Sequence, residues 1–166
     1  MGKIPGLVLR PAAASDVPAI LTFIRELADY ERLLHEVTAD ETSIHETLFG
    51  ASPAAAVIIA ELHGKPVGFA LYHGMYSTFM ARPGIYLEDL YVNPACRGKG
   101  IGTALLIHLA QHAVETGQGR LDWSCLDWNE SSLTFYRNLG ARELQEWVRF
   151  RLDGSALAAV ASRKID

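Results

Sequence analysis

The run Tyr86-Leu87-Glu88-Asp89-Leu90-Tyr91-Val92-Asn93-Pro94-Ala95-Cys96-Arg97-Gly98-Lys99-Gly100-Ile101-Gly102 constrains this chain more than any other stretch. It reads as a strand, a Pro-containing turn, a Gly-rich loop and the start of an apolar helix. That order sets backbone N–H groups in a row at a helix N-terminus, where the free donors and the helix dipole favour an anion. Gly98, Gly100 and Gly102 carry no Cβ to hold a phosphate at a distance. Arg97 and Lys99 add positive charge beside the donors. The segment predicts a site for a phosphorylated cofactor.

Two familiar phosphate loops do not fit. A nucleotide P-loop places Gly-Lys-Ser/Thr after its first glycine and four spacers, whereas here Lys99 is followed by Gly100-Ile101-Gly102-Thr103. A dinucleotide fingerprint needs a third glycine where Thr103 stands. The pattern present is Arg-x-x-Gly-x-Gly, made by Arg97, Gly100 and Gly102.

Periodicity along the chain predicts an α/β domain spanning residues 1–166. Leu7 to Arg10 reads as a strand stopped by Pro11. Ser15-Asp16 caps a helix with Pro18 in its first turn, and Val17, Ile20, Leu21, Ile24, Leu27 and Ala28 give it one apolar face. Thr38 and Glu41 have capping-box spacing for a second helix ending near Gly50. Ala56 to Leu62 and Val67 to Tyr72 flank the turn His63-Gly64-Lys65-Pro66 and predict a hairpin. Tyr76 to Gly84 reads as loop, and Ile85 to Val92 as a strand with Glu88 and Asp89 on opposite faces. A helix from Ile101 to Glu115, a strand from Leu121 to Trp128, a short helix capped by Asn129 and a last strand from Arg142 to Leu152 follow, with a helical tail. Strand, loop, helix and strand form a βαβ unit, so its two strands should be parallel within an otherwise antiparallel sheet. The expected architecture is a mixed central sheet with helices on both faces.

Bulk properties narrow the function. A net charge of -4 disfavours a nucleic-acid surface. Two cysteines, Cys96 and Cys125, do not make a disulfide framework and are expected as free thiols in a reducing cytoplasm. No secretory leader pattern or bilayer-length apolar run is present, so no membrane partner is expected. His108 and His112 lie one helical turn apart but lack the Glu of a zinc helix and a third ligand, so no metal is expected.

The loop resembles that of the GNAT superfamily of acyl-coenzyme A N-acyltransferases, where it binds the coenzyme A pyrophosphate. A second motif, Asn129-Glu130-Ser131-Ser132 followed by Phe135-Tyr136 and Gly140-Ala141, extends the resemblance over nearly the whole chain. Ile24 to Ala28, Tyr30-Glu31, Tyr86 to Asp89 and Trp128 to Glu130 are similar to the diamine (spermidine/spermine) acetyltransferase branch, which includes thialysine acetyltransferases. The branch's Asp-Phe-Phe reads Asp89-Leu90-Tyr91 here.

The resemblance implies acetyl-coenzyme A as donor and coenzyme A as product. It assigns the cofactor to Arg97, Gly98, Lys99, Gly100, Ile101, Gly102 and Thr103, to the backbone of Leu90, Tyr91 and Val92, and to Asn129 and Ser132. It assigns the acceptor amine to Tyr30, Glu31, Glu88, Asp122, Trp123 and Ser124, and it implies a homodimer. The residues themselves leave the roles open. Glu88, expected to be buried mid-strand, suits amine deprotonation or a plain ion pair. Tyr136 suits protonation of a leaving thiolate or a place in the core beside Phe135. The acceptor expected from the resemblance is a small-molecule primary amine, a di- or polyamine or a lysine-like side chain. The alternatives are a protein or aminoglycoside amine, or a non-catalytic acyl-coenzyme A sensor.

Overall fold

The computed structural model describes residues 2–165, which fall into two compact units dividing after Leu126. In the first unit, β1 (Leu7–Pro11), β2 (Ala56–Leu62), β3 (Lys65–Ser77), β4 (Arg82–Val92) and β5 (Leu121–Trp123) form a five-stranded sheet in chain order. The first four strands pair antiparallel, and β4 pairs with β5 in parallel, with Ile85 opposite Leu121. The parallel pair is joined through the Gly-rich loop and α3 (Ile101–Glu115), as the βαβ pattern requires.

Alternation along the strands sorts the apolar side chains onto two faces. Val57 and Ile59 of β2, Phe69 of β3 and Tyr91 of β4 form one cluster with Val17, Ile20, Leu21 and Phe23 of α1 (Val17–Tyr30) and Ile44 of α2 (Glu41–Phe49). Within it the Phe23 ring lies 5.7 Å from Phe69 and 5.6 Å from Tyr91, the offset arrangement that aromatic quadrupoles favour. Ile58, Ala60 and Ala70 alternate to the opposite face. There α3 buries Ile101, Leu105, Leu106 and Leu109, and its His112 meets the Tyr72 ring edge-on. Helices therefore cover both faces.

A one-residue bulge interrupts β4. Leu71 lies opposite Asp89 and Tyr72 opposite Leu87, so Glu88 is an extra residue with no partner on β3. An inserted residue bends its strand and re-aims side chains. Glu88 and Asp89, expected on opposite faces, consequently share one. Asp89 opposes Leu71, which packs on the α1 cluster, while Glu88 reaches His73, two residues further along the same face of β3.

Gly68 holds β3 close to β4 just before the Gly-rich loop. A Cβ there would meet the Tyr91 carbonyl oxygen at 2.5 Å. Gly68→Ala should destabilise the protein by about 1–2 kcal/mol through overpacking, read as a lower urea midpoint. An unchanged midpoint would mean that the strands part without cost.

Four expected elements differ. The segment Tyr76–Gly84 is not a loop, because β3 and β4 stay paired to Ser77 and Arg82. Backbone pairing continues through Gly74 and Gly84, where no apolar alternation marks it. The cap of α2 is Asp40, not Thr38: its carboxylate accepts the Ser43 N–H at 2.8 Å and its own N–H donates to the Ser43 hydroxyl. The strand β5 ends at Trp123, short of the expected Trp128. The second unit holds α4 (Glu130–Asn138) and α5 (Gly154–Ala161), and among the described residues Arg142 to Leu152 forms no strand. Its apolar positions are exposed, Phe150 at 93%. A period-two pattern becomes a strand only where a neighbour completes the ladder.

Candidate active site

The Gly-rich loop is built from local interactions. Asn93 ends β4, and its side chain accepts the Ala95 N–H at 3.0 Å, shaping a single 3₁₀ turn over Pro94–Cys96. Gly98 and Gly100 then take φ values of +73° and +83°, left-handed conformations that only glycine enters without strain. Gly100 is the N-cap of α3. The first helical N–H with a partner is that of Ala104, to the Gly100 carbonyl. Among the described residues, the N–H groups of Gly98, Lys99, Gly100, Ile101, Gly102 and Thr103 have no acceptor within the chain. A Cβ on Gly98 would meet nothing within 4 Å. The row of donors is thus open, as an anion site requires.

Arg97 braces this loop. Its Nε donates to the Val92 carbonyl at 2.9 Å, and its guanidinium lies 5.1 Å from the Tyr30 ring and 5.8 Å from the Tyr91 ring. Tyr91 donates its hydroxyl hydrogen to Glu26 at 2.7 Å, and burial with that bond pushes the phenol's pKa well up.

One edge of β4 is open beside the loop. Leu90, Tyr91 and Val92 pair with β3 through Ala70, Phe69 and Gly68, whereas β5 covers only Ile85, Tyr86 and Leu87. Among the described residues, the side of β4 away from β3 therefore has no strand partner from Glu88 onward. Such an edge offers backbone groups to an extended ligand.

Carboxylates gather at the bulge. Burial, reinforced by Glu88 and Glu31, pushes the Asp89 carboxyl up to about 6. Burial also raises Glu31, and burial with the Glu31 charge raises the Cys125 thiol. Glu88 itself has an exposed side chain, so the expected burial falls on Asp89 instead. The Glu88 carboxylate lies 3.6 Å from His73 Nε2. Tyr86 shares a 2.8 Å hydrogen bond with the Ser124 hydroxyl. Asp122 stands apart from the other carboxylates in bonding, since Arg120 pairs with it at 3.0 Å. Trp123, the last residue of β5, is half-buried. The first unit thus brings Glu31 into electrostatic contact with the bulge and ties Ser124 to Tyr86. Nothing in the sequence pattern marks His73 or Asp89 as a site residue, because no spacing rule reveals a bulge.

In the second unit, buried Asn129 accepts the Ser132 N–H at 3.2 Å and caps α4. Tyr136 is half-buried on that helix, its ring 5.1 Å from Phe135. Arg137 donates to Glu143 at 2.6 Å. A surface concavity of about 480 Å³ opens between the starts of α1 and α2 and includes none of these residues.

Residues 21–141 match the acetyltransferase (GNAT) family, a span that takes in most of the first unit and the start of the second. The chain belongs to the GNAT acetyltransferase family. It is 37% identical to thialysine N-epsilon-acetyltransferase of Mus musculus, over 93% of this chain and 97% of that protein. It is 30% identical to L-ornithine N5-acetyltransferase of Arabidopsis thaliana, over 92% of this chain and 86% of that one. An integron cassette protein of V. cholerae shares the fold with a TM-score of 0.80 and 29% identity, covering 95% of this chain and 99% of its own. The GNAT fold of this chain is the mixed sheet described above, and the protein is an acetyltransferase enzyme rather than a sensor. Among the described residues no helix is long and apolar enough to cross a membrane.

Proposed function

We propose that this GNAT enzyme moves an acetyl group from acetyl-coenzyme A to the primary amine of a small cationic molecule, a di- or polyamine or a lysine-like amine. One observation carries the reading: the β4 strand joins a carboxylate cluster at its bulge to an open edge and an anion-binding loop. The residues present fit the cofactor, because the open N–H row from Gly98 to Thr103 matches a pyrophosphate and the edge at Leu90, Tyr91 and Val92 matches an extended amide-bearing arm. Relatives named for thialysine, ornithine and spermidine/spermine support an amine of this class.

Bound acetyl-coenzyme A supplies an activated thioester. The chain's own groups do the rest. Arg97, Lys99 and the donors of Gly98, Gly100, Ile101, Gly102 and Thr103 hold the diphosphate; Asn129 and Ser132 touch the coenzyme. Glu31, Glu88 and Asp89 attract the ammonium, with Tyr30, Trp123, Ser124 and Asp122 completing the acceptor wall. Glu88 assists loss of the amine proton, and the Tyr136 phenol protonates the departing sulfur. Both reactants are held together, so the transfer is direct. In this reading residues 1–166 act as one acyltransferase domain, the protein works in the cytoplasm, and two copies form a homodimer.

Thiol release from acetyl-coenzyme A, measured with thialysine, ornithine, spermidine and an aminoglycoside, tests the reading. Saturable release with one of the first three supports it; release only with the aminoglycoside, or with none, refutes it. Tyr136→Phe should lower kcat roughly a hundredfold while leaving the Kd for acetyl-coenzyme A within twofold. Undiminished kcat would remove Tyr136 from the acid role.

A further inference from the structure

On β3, directly across from Tyr86 of β4, stands His73. We propose that His73 Nε2 accepts the proton of the substrate ammonium, working beside Glu88; the proposal rests on the acceptor site described above. Nδ1 lies 3.0 Å from the Gly74 carbonyl oxygen. That oxygen can only accept, so Nδ1 carries the hydrogen, and Nε2 is left as the nitrogen that gains and loses a proton. Nε2 sits 3.6 Å from Glu88 Oε2, beyond a direct hydrogen bond but close enough for one amine to meet both atoms. The ring is held in place by Tyr86, whose ring centroid lies 5.3 Å away at 30°. Tyr86 is itself fixed through its hydroxyl to Ser124. His73 and Glu88 are 39% and 52% exposed, so a solvated amine reaches both.

The chemistry favours the imidazole. Imidazole is in general a stronger base than a carboxylate by about two pK units, and it exchanges protons near neutral pH. From β4, Glu88 and Tyr86 face the ring, and the charges of Glu88 and Glu31 both act on the buried Asp89; on the reverse of β3, Tyr72 faces His112. The ammonium's first proton passes to Nε2, and the freed lone pair attacks the thioester carbonyl carbon. The N–C bond forms as the C–S bond breaks. The sulfur leaves with the Tyr136 proton, which the nitrogen's second proton replaces through solvent. His73 then releases its proton to water, the single net proton of the reaction.

Two measurements test this. In a nitrogen-15 NMR spectrum of the neutral imidazole, His73 should show its hydrogen on Nδ1 and a bare Nε2, because the Gly74 carbonyl accepts from Nδ1. A hydrogen on Nε2 overturns the assignment of that nitrogen as the acceptor whatever the enzyme's substrate. In pH profiles of kcat/KM for the best amine of the panel, His73→Phe and His73→Gln should each shift the rising limb to higher pH. Each should also cut the value at neutral pH about tenfold, with KM for acetyl-coenzyme A unchanged. Profiles like the wild type in both variants overturn the proposal. A wild-type enzyme that turns over no amine would instead sink the proposed function, and the NMR spectrum would still decide which His73 nitrogen is free.

Discussion

Replacing Gly100 with valine should weaken acetyl-coenzyme A binding by roughly a hundredfold or more while leaving the fold in place. Gly100 sits at φ +83° as the N-cap of α3. A β-branched residue in that conformation is strained by about 1–2 kcal/mol. The chain relieves the strain by turning the peptide out of the left-handed region. That turn redirects the N–H groups of Ile101 and its neighbours, which have no acceptor within the chain among the described residues. Each lost bond to a charged phosphate costs about 1.5–3 kcal/mol, so two such losses reach the stated factor. The same rigid peptide carries the Gly100 carbonyl, so the Ala104 N–H loses its acceptor and α3 frays by that one bond, while the helix is kept from Leu105 onward, where the acceptors begin at Ile101. Isothermal titration with acetyl-coenzyme A, alongside circular dichroism, reads the effect. A Kd within threefold of wild type would show that the loop does not hold the diphosphate.

Asp89→Asn should stabilise the folded protein at neutral pH, by up to about 3 kcal/mol, and the gain should vanish near pH 4. Asp89 is held in a low-dielectric site beside Glu88 and Glu31, and its folded pKa stands near 6 against 3.8 for a free aspartate. A carboxyl whose pKa rises on folding binds its proton more tightly in the native state. Its cost is therefore absent below about pH 4, grows between pH 4 and 6, and is fully present above. A separation of about two pK units corresponds to about 3 kcal/mol. Asparagine has nearly the same shape and no charge, so it removes that cost. Urea unfolding at pH 4 and pH 7.5 is the measurement. Equal stability differences at the two values would show that the carboxyl is not under electrostatic strain. A charge retained at such expense beside an open face fits a site that must attract a cation.

The parts of this chain legible in the sequence are those whose causes are local. The helix over Ile101–Glu115 and the strand over Ala56–Leu62 occur with the expected bounds, because periodicity and glycine or turn residues mark both ends. The Gly-rich loop was legible for the same reason: its donors and its positive φ angles lie within a few consecutive residues. The proposed acceptor end is only half legible. It is assembled from the end of α1, two strands and a bulge, and the bulge depends on how β3 and β4 align rather than on any residue's own preference. That is why simple alternation buries Glu88 and gives His73 no distinguishing mark. The extension of the β3–β4 ladder through Tyr76 and Pro83 was hidden because backbone pairing leaves no apolar signature. The run from Arg142 to Leu152 carries the signature, but among the described residues its unit holds no partner strand.

The β4 strand also acts as a ruler. Its partner β5 stops at Leu87, the inserted residue is Glu88, and the uncovered edge runs on to Val92, where Arg97 closes back on the carbonyl. Spacing between the proposed amine end and the proposed diphosphate end is thus counted in peptide units along a single extended segment. Losing or gaining one unit there would swap inward for outward at every later position. Descendants of this chain are free to vary the side chains of that segment far more readily than its length.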